Sequence, residues 1–151
     1  MPASQSMSGS NYQRLRGSCH CGNIHVAIDW PDPRPTIPVC GCGFCTKHRA
    51  AWTPHPDGRF HLQIADASRV TPYRLGTGTA DFHVCSTCGI VPIVTCVIEG
   101  TRYAVVNAAI LDNVESSRFV QRATNFEGET TEERLARRRR NWMPEAAGSD
   151  D

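Results

Sequence analysis

Apolar residues alternate with polar or small ones along several short stretches of the chain. Ile24, Val26, Ile28 and Trp30 take every second place among His25, Ala27 and Asp29, the period of a strand with one buried face. Phe60, Leu62 and Ile64 repeat the pattern, and Phe82 and Val84 lead into a cysteine pair. Val70 to Leu75 reads as a further strand, which Pro72 moves to a sheet edge. Ile90 to Ile98 and Tyr103 to Val106 are β-branched runs separated by Glu99-Gly100-Thr101, a hairpin signature. Pro31, Pro33, Pro35 and Pro38 preclude a helix and describe an extended connection into Cys40. One helix is predicted, late in the chain. Thr130 and Glu133 form a Thr-x-x-Glu capping box, so the helix runs from about Thr131 to Trp142, and Pro144 ends it. Within it, Glu133 is spaced to pair with Arg137. Many short strands, Gly/Pro punctuation and one helix predict a mostly β fold.

The chain has 151 residues, the size of one domain with its own core. Three parts are expected: a Ser-rich disordered segment over 1–13, a zinc-binding domain over 14–114, and an extension over 115–151 with one helix and a frayed tail. Met1 to Ser10 lacks the apolar stretch of a signal peptide, and no apolar run approaches the roughly 20 residues of a membrane span. A cytoplasmic protein with no membrane partner is the expectation. The formal net charge of +1 argues against a broad nucleic-acid footprint.

Composition changes the picture at the cysteines. Eight cysteines at C-x-C and C-x-x-C spacings, in a compartment that keeps thiols reduced, read as metal ligands rather than a disulfide framework. Cys40-Gly41-Cys42-Gly43-Phe44-Cys45 packs three thiols into six residues, with Cys19-His20-Cys21 upstream and Cys85-Ser86-Thr87-Cys88 downstream. Zinc favours tetrahedral nitrogen and sulfur ligands on such short elements. The two outer pairs complete one closed site of Cys19, Cys21, Cys85 and Cys88, each beside a turn-permissive glycine. Cys40, Cys42 and Cys45 are then left one ligand short, the arrangement of a catalytic zinc. Two zinc ions per chain follow, one structural and one catalytic in type.

Several neighbours have two readings each. His48, His55 or Cys96 could close the second site, although Cys96 sits in an apolar run and suits a small core residue. His48 is a candidate for proton transfer, against a surface or packing role. Lys47 and Arg49 could bind substrate carboxylates, or simply offset the thiolates. Trp52 and Phe44 could line a substrate pocket or fill the core. His20 is expected to turn away from the ion held by its neighbours, and His83 to face solvent.

Gly17-Ser18-Cys19-His20-Cys21-Gly22, Cys40-x-Cys42-x-x-Cys45 and Phe82-x-x-Cys85-Ser86-x-Cys88-Gly89 together resemble the glutathione-dependent formaldehyde-activating enzyme family, whose domain centromere protein V shares. Val106-Asn107-x-x-x-Leu111-Asp112 is similar to the family's closing strand, so the resemblance covers roughly Leu15 to Asp112. It implies a β-tent of small antiparallel sheets around zinc, and the same two ligand sets. It also implies a carbon–sulfur lyase written in reverse, in which glutathione adds to formaldehyde to give S-hydroxymethylglutathione. The chain departs from many members after Cys45, where Lys47-His48-Arg49-Ala50-Ala51-Trp52 is bulkier and more basic than their Ser/Gly segment.

Two other classes compete. One is a zinc-binding interaction module that uses the Arg137–Arg140 run on nucleic acid or a partner; the run could equally be a solvated helix face or a packing arm for another subunit in a homo-oligomer. The other is a redox protein using Cys85-x-x-Cys88, chemistry that zinc ligation would block.

Overall fold

The computed structural model describes residues 13–31, 37–40, 51–74, 78–114, 119–122, 126 and 128–147, with backbone alone for 37–40 and 119–122. Among them the fold is mostly β, two antiparallel sheets and one parallel strand pair, with one C-terminal helix. The stretch with the clearest alternation forms the middle of a three-stranded antiparallel sheet. Strand β2 (Ile24–Trp30) pairs with β1 (Gln13–Ser18) on one side and with β5 (Arg59–Ile64) on the other. Leu15, Ile24, Val26, Ile28, Trp30, Phe60 and Leu62 point inward and are nearly or wholly buried. The outward face carries Arg14, Asp29 and His61. Arg14 Nε donates to Asp29 Oδ1 at 2.6 Å, and His61 Nε2 lies 3.0 Å from Asp29 Oδ2. These two partners hold the Asp29 carboxyl below its ordinary range, against the opposing effect of its partial burial.

The larger sheet is built on the predicted hairpin. Strands β8 (Ile93–Ile98) and β9 (Thr101–Asn107) are joined by Glu99-Gly100, both at positive φ (50° and 82°). That is the geometry of a two-residue turn whose twist matches the strands. Beyond β8 lie β7 (Asp81–Cys85) and the edge strand β6 (Val70–Tyr73), where Pro72 is found. Beyond β9 lie two short strands, β4 (Trp52–Thr53) and β11 (Met143–Pro144). The prolines before Cys40 do not keep its approach unpaired. Ile37–Cys40 forms β3, which runs parallel to β10 (Phe119–Arg122).

The larger sheet is buried on both faces. Ile93, Ala104, Val106 and Cys85 face the three-stranded sheet and form the first core with it, together with Met143. Trp52, Val94, Cys96, Ile98 and Val105 face the other way and form a second core with Trp142 and Leu135 of the helical segment. Residues 143–146 stitch the sheets together. Glu145 N–H donates to Arg102 O at 2.9 Å, and Ala146 N–H donates to Phe60 O at 2.8 Å. Two strands and a core methionine thus come from beyond Val114.

Helix α1 spans Thr131–Asn141, with both capping-box bonds formed: Glu133 N–H to Thr130 Oγ1 at 3.1 Å and Thr130 N–H to Glu133 Oε1 at 2.8 Å. That bond occupies Glu133, so the expected Glu133–Arg137 pair does not form. Arg137 instead makes a two-pronged pair with Glu129 at 3.0 and 3.1 Å and lies over the Phe126 ring. Arg138 is 8% exposed. Its Nη1 donates to Thr79 Oγ1 at 2.8 Å, and its guanidinium lies over Trp142. Burial lowers the Arg138 pKa, partly opposed by the contact with Cys96. Arg139 pairs with Glu99. The arginine run is therefore divided: Arg137 and Arg138 are tucked against the chain, while Arg139 and Arg140 are exposed. No described helix is long and apolar enough to cross a membrane.

Candidate metal centre

Two turns of the same design face each other where the sheets meet. Cys19 follows β1, and its N–H donates across the turn to Ile24 O at 3.0 Å; Gly22 N–H closes back on Cys19 O at 3.1 Å. Cys85 ends β7, and its N–H donates to Ile90 O at 2.9 Å; Gly89 N–H closes back on Cys85 O at 2.7 Å. Gly22 and Gly89 hold φ values of 87° and 82°, which a side chain would strain. Each turn exposes backbone N–H groups toward its own sulfurs. One of them, Ile24 N–H, donates to Cys19 Sγ at 3.3 Å.

The four sulfurs of Cys19, Cys21, Cys85 and Cys88 lie within 4.8 Å of one another. Cys19 Sγ is 3.7 Å from Cys21 Sγ, which is 3.5 Å from Cys85 Sγ. A tetrahedron of thiolates around zinc, with a Zn–S bond of roughly 2.3 Å, places sulfurs about 3.8 Å apart. The donor set fits zinc in both kind and spacing, and this cluster could bind one ion. Cys19 and Cys85 are buried, Cys88 is half-buried and Cys21 is exposed.

Acidity is divided among these groups. Burial pushes the Cys88 thiol up, but N–H donors from Cys21 and Ile90 outweigh it and bring the pKa down to about 6. Cys85 is likewise lowered against its burial by N–H groups of Cys88 and Thr87. At Cys21 the Asn23 N–H acts downward, yet sharing protons with Cys85, Cys19 and Cys88, together with desolvation, carries the pKa up to about 11. Thiolates this close would repel one another. A divalent cation relieves that repulsion and favours all four anions.

Three residues that the cysteine spacing did not point to hold the two turns together. Asn23 is 2% exposed. Its Oδ1 accepts from Asp66 N–H at 2.8 Å and its Nδ2 donates to Asp66 O at 3.0 Å. Arg69 donates to Asn23 Oδ1 at 3.2 Å and to Thr87 Oγ1 at 2.9 Å, spanning from one turn to the other. Asp66 shapes the intervening turn by accepting from Ser68 N–H at 3.0 Å. The signal for it was a local Asp-x-Ser pattern; the long-range partners had none.

The central cysteine group stands differently. Cys40 is the last residue of β3, and Cys42, Phe44, Cys45, Lys47, His48 and Arg49 lie outside the described residues. Trp52 is 4% exposed and meets Phe82 edge-on with ring centroids 5.9 Å apart. It is a core residue of β4 as the structure describes it. Cys96, 2% exposed, is 3.5 Å from Arg138 in the second core. His55 packs edge-on to Trp30, at 4.7 Å between ring centroids, and accepts at Nδ1 from Asp57 N–H at 3.1 Å. His20 is exposed. His83, expected to face solvent, is half-buried, with Nε2 2.7 Å from Thr95 Oγ1, because its face of β7 meets the first core.

The model of a family described as glutathione-dependent formaldehyde-activating enzyme matches residues 14–128. A crystal structure of a Rhodobacter sphaeroides protein, a structural-genomics target, is similar, with a TM-score of 0.52 and 29% identity over 72% of this chain and 99% of that one. No curated protein matches the chain.

Proposed function

Because the chain belongs to the glutathione-dependent formaldehyde-activating enzyme family, we propose that it is a zinc-dependent carbon–sulfur lyase-type enzyme acting on the adduct of glutathione, or a similar thiol, with a small aldehyde. The observation that carries this reading is the self-sufficiency of the four outer cysteines. Cys19, Cys21, Cys85 and Cys88 complete one another, so Cys40, Cys42 and Cys45 are free to hold a second zinc with a position left over for substrate. Zinc in such a site supplies Lewis acidity and lowers the pKa of a thiol it binds.

The chain's own residues have the remaining tasks. Lys47 and Arg49 bind the carboxylates of the glutathione-like partner and fix its thiol near the aldehyde. His48 moves the proton. In the synthetic direction a sulfur–carbon bond forms, the carbonyl π bond opens, and the thiol proton ends on the new hydroxyl oxygen. Reversal returns it to sulfur. Trp52 is buried in the second core. A compartment that keeps thiols reduced, such as the cytoplasm, suits seven metal-binding cysteines.

The test is NMR of glutathione and formaldehyde with and without the zinc-loaded protein. Faster exchange between free thiol and hydroxymethyl adduct is expected. An unchanged rate would remove formaldehyde as the substrate. For the interaction-module reading, Arg137 and Arg138 are engaged inside the chain while Arg139 and Arg140 are exposed, and DNA binding at low salt is its test.

A further inference from the structure

A cavity opens on the outward face of the three-stranded sheet, and we propose that it binds a small carboxylate carrying its own hydrogen-bond donor, such as an α-hydroxy or α-amino acid. The register of the sheet builds it. Arg16 of β1, Ala27 of β2 and His61 of β5 stand side by side on this face. Ser18, His25 and Gln63 form the row on one side of them, and Arg14, Asp29 and Arg59 the row on the other. Ala27, at the centre, has the smallest side chain on the face, so the face is hollow there and walled by longer groups. The cavity has a volume of about 370 Å³, within the range of small-molecule sites.

Its two walls offer opposite capacities. Arg14 is neutralised by Asp29. Arg16 is exposed, and among the described residues its guanidinium has no hydrogen bond or ion pair. A guanidinium fork suits a carboxylate held by two parallel bonds. On the opposite wall, His61 Nε2 lies 3.0 Å from Asp29 Oδ2. Asp29 is ionised at neutral pH, its carboxyl lying below the ordinary range, and an ionised carboxylate only accepts. In the neutral His61 ring, Nε2 therefore carries the proton and Nδ1 is an acceptor. No described residue donates to that Nδ1. A ligand that satisfies both walls brings a carboxylate for Arg16 and an O–H or N–H for His61. The exposed Asp112 also lines the cavity. Its negative charge disfavours a phosphate dianion more than a monocarboxylate, and attracts an ammonium group on the ligand.

Propionate, lactate and free alanine share one carbon skeleton and differ in the group beside the carboxylate, so together they test this match. Each is titrated into the zinc-loaded full chain and followed by ¹⁵N NMR. Ionic strength is held constant, at about pH 8, where an ordinary histidine is neutral. Signals of Arg16, Ala27 and His61 should shift and saturate. Lactate, alanine or both should bind roughly 2–10-fold tighter than propionate; a gain for one alone identifies the donor the site prefers. Arg16→Gln, at an exposed position, should weaken binding roughly 10–100-fold. His61→Ala should reduce lactate and alanine to the affinity of propionate. Should that variant fail to fold, Arg16→Gln and the three-ligand comparison decide. The inference is overturned by shifts that do not saturate, or that are as large at Arg74 as at Arg16. It is equally overturned by undiminished binding in Arg16→Gln, by a lactate or alanine preference that survives His61→Ala, or by propionate binding as tightly as both others. Inorganic phosphate binding tighter than all three would overturn the carboxylate class.

Discussion

Gly17→Ala is expected to destabilise the fold at the point where it sets the first cysteine pair. Gly17 lies two residues before Cys19 in β1, pairs with Val26, and forms an isolated antiparallel bridge to Leu111. A Cβ there would stand 1.9 Å from Ile110 O, 2.6 Å from Ile110 C and 2.8 Å from Ile110 Cδ1. The nearest obstacle is backbone, so no rotamer change clears it. To reach an ordinary contact the 108–111 turn must retreat by about 1.5 Å. Three attachments resist. Leu111 is buried in the first core, Ala109 N–H is bonded to Asn107, and Asp112 N–H donates to Arg16 O at 2.8 Å. Overpacking of this kind costs ~1–3 kcal/mol, and a strained or lost backbone bond adds ~1 kcal/mol. The stiffer unfolded chain returns ~0.4–1 kcal/mol. The net expectation is a loss of about 2–3 kcal/mol. Urea unfolding followed by circular dichroism, at one fixed zinc concentration for both chains, measures it. A midpoint indistinguishable from the wild type would refute the close approach of this turn to β1.

Other substitutions test the placement of charge. Arg138→Ala removes the bond to Thr79 and the stacking on Trp142, and should cost about 2–3 kcal/mol, whereas Arg139→Ala removes only an exposed pair and should stay within ~0.5 kcal/mol; equal urea midpoints would contradict the buried position of Arg138. Asp29 has a folded pKa below its ordinary value. Its contribution is therefore present above the ordinary carboxylate range and is lost as pH falls through the folded value. Asp29→Asn should accordingly be less stable at neutral pH and should converge with the wild type in thermal unfolding as the pH falls through the folded value of Asp29. A constant gap down to that pH would argue against the Arg14–Asp29–His61 cluster.

Local signals carried much of the fold. The alternation at Ile24–Trp30 and Phe60–Ile64 is set by neighbours along the chain, and both stretches are strands. The Glu99-Gly100 hairpin and the Thr130 cap are likewise written in a few adjacent residues. The closed cysteine site was legible because each half is a short motif with its own glycine. What stayed hidden depends on partners far along the chain. Nothing near Pro38 announces a strand, because its partner begins at Phe119. A run of four arginines looks uniformly solvated until the fold brings Glu129 to Arg137 and Thr79 to Arg138. Asn107 was visible only as a member of the closing-strand motif. Its work lies in contacts to Ala51 and Val91, at opposite ends of separate loops.

The proposed enzyme divides its labour between a closed four-cysteine site and a second, three-cysteine site. Zinc content of the wild type, Cys42→Ser and Cys85→Ser, each with a thermal unfolding curve, tests it most directly. About two zinc ions per wild-type chain are expected, about one in a folded Cys42→Ser chain, and severe destabilisation of Cys85→Ser. One zinc in the wild type, or a Cys42→Ser chain as unstable as Cys85→Ser, would contradict it.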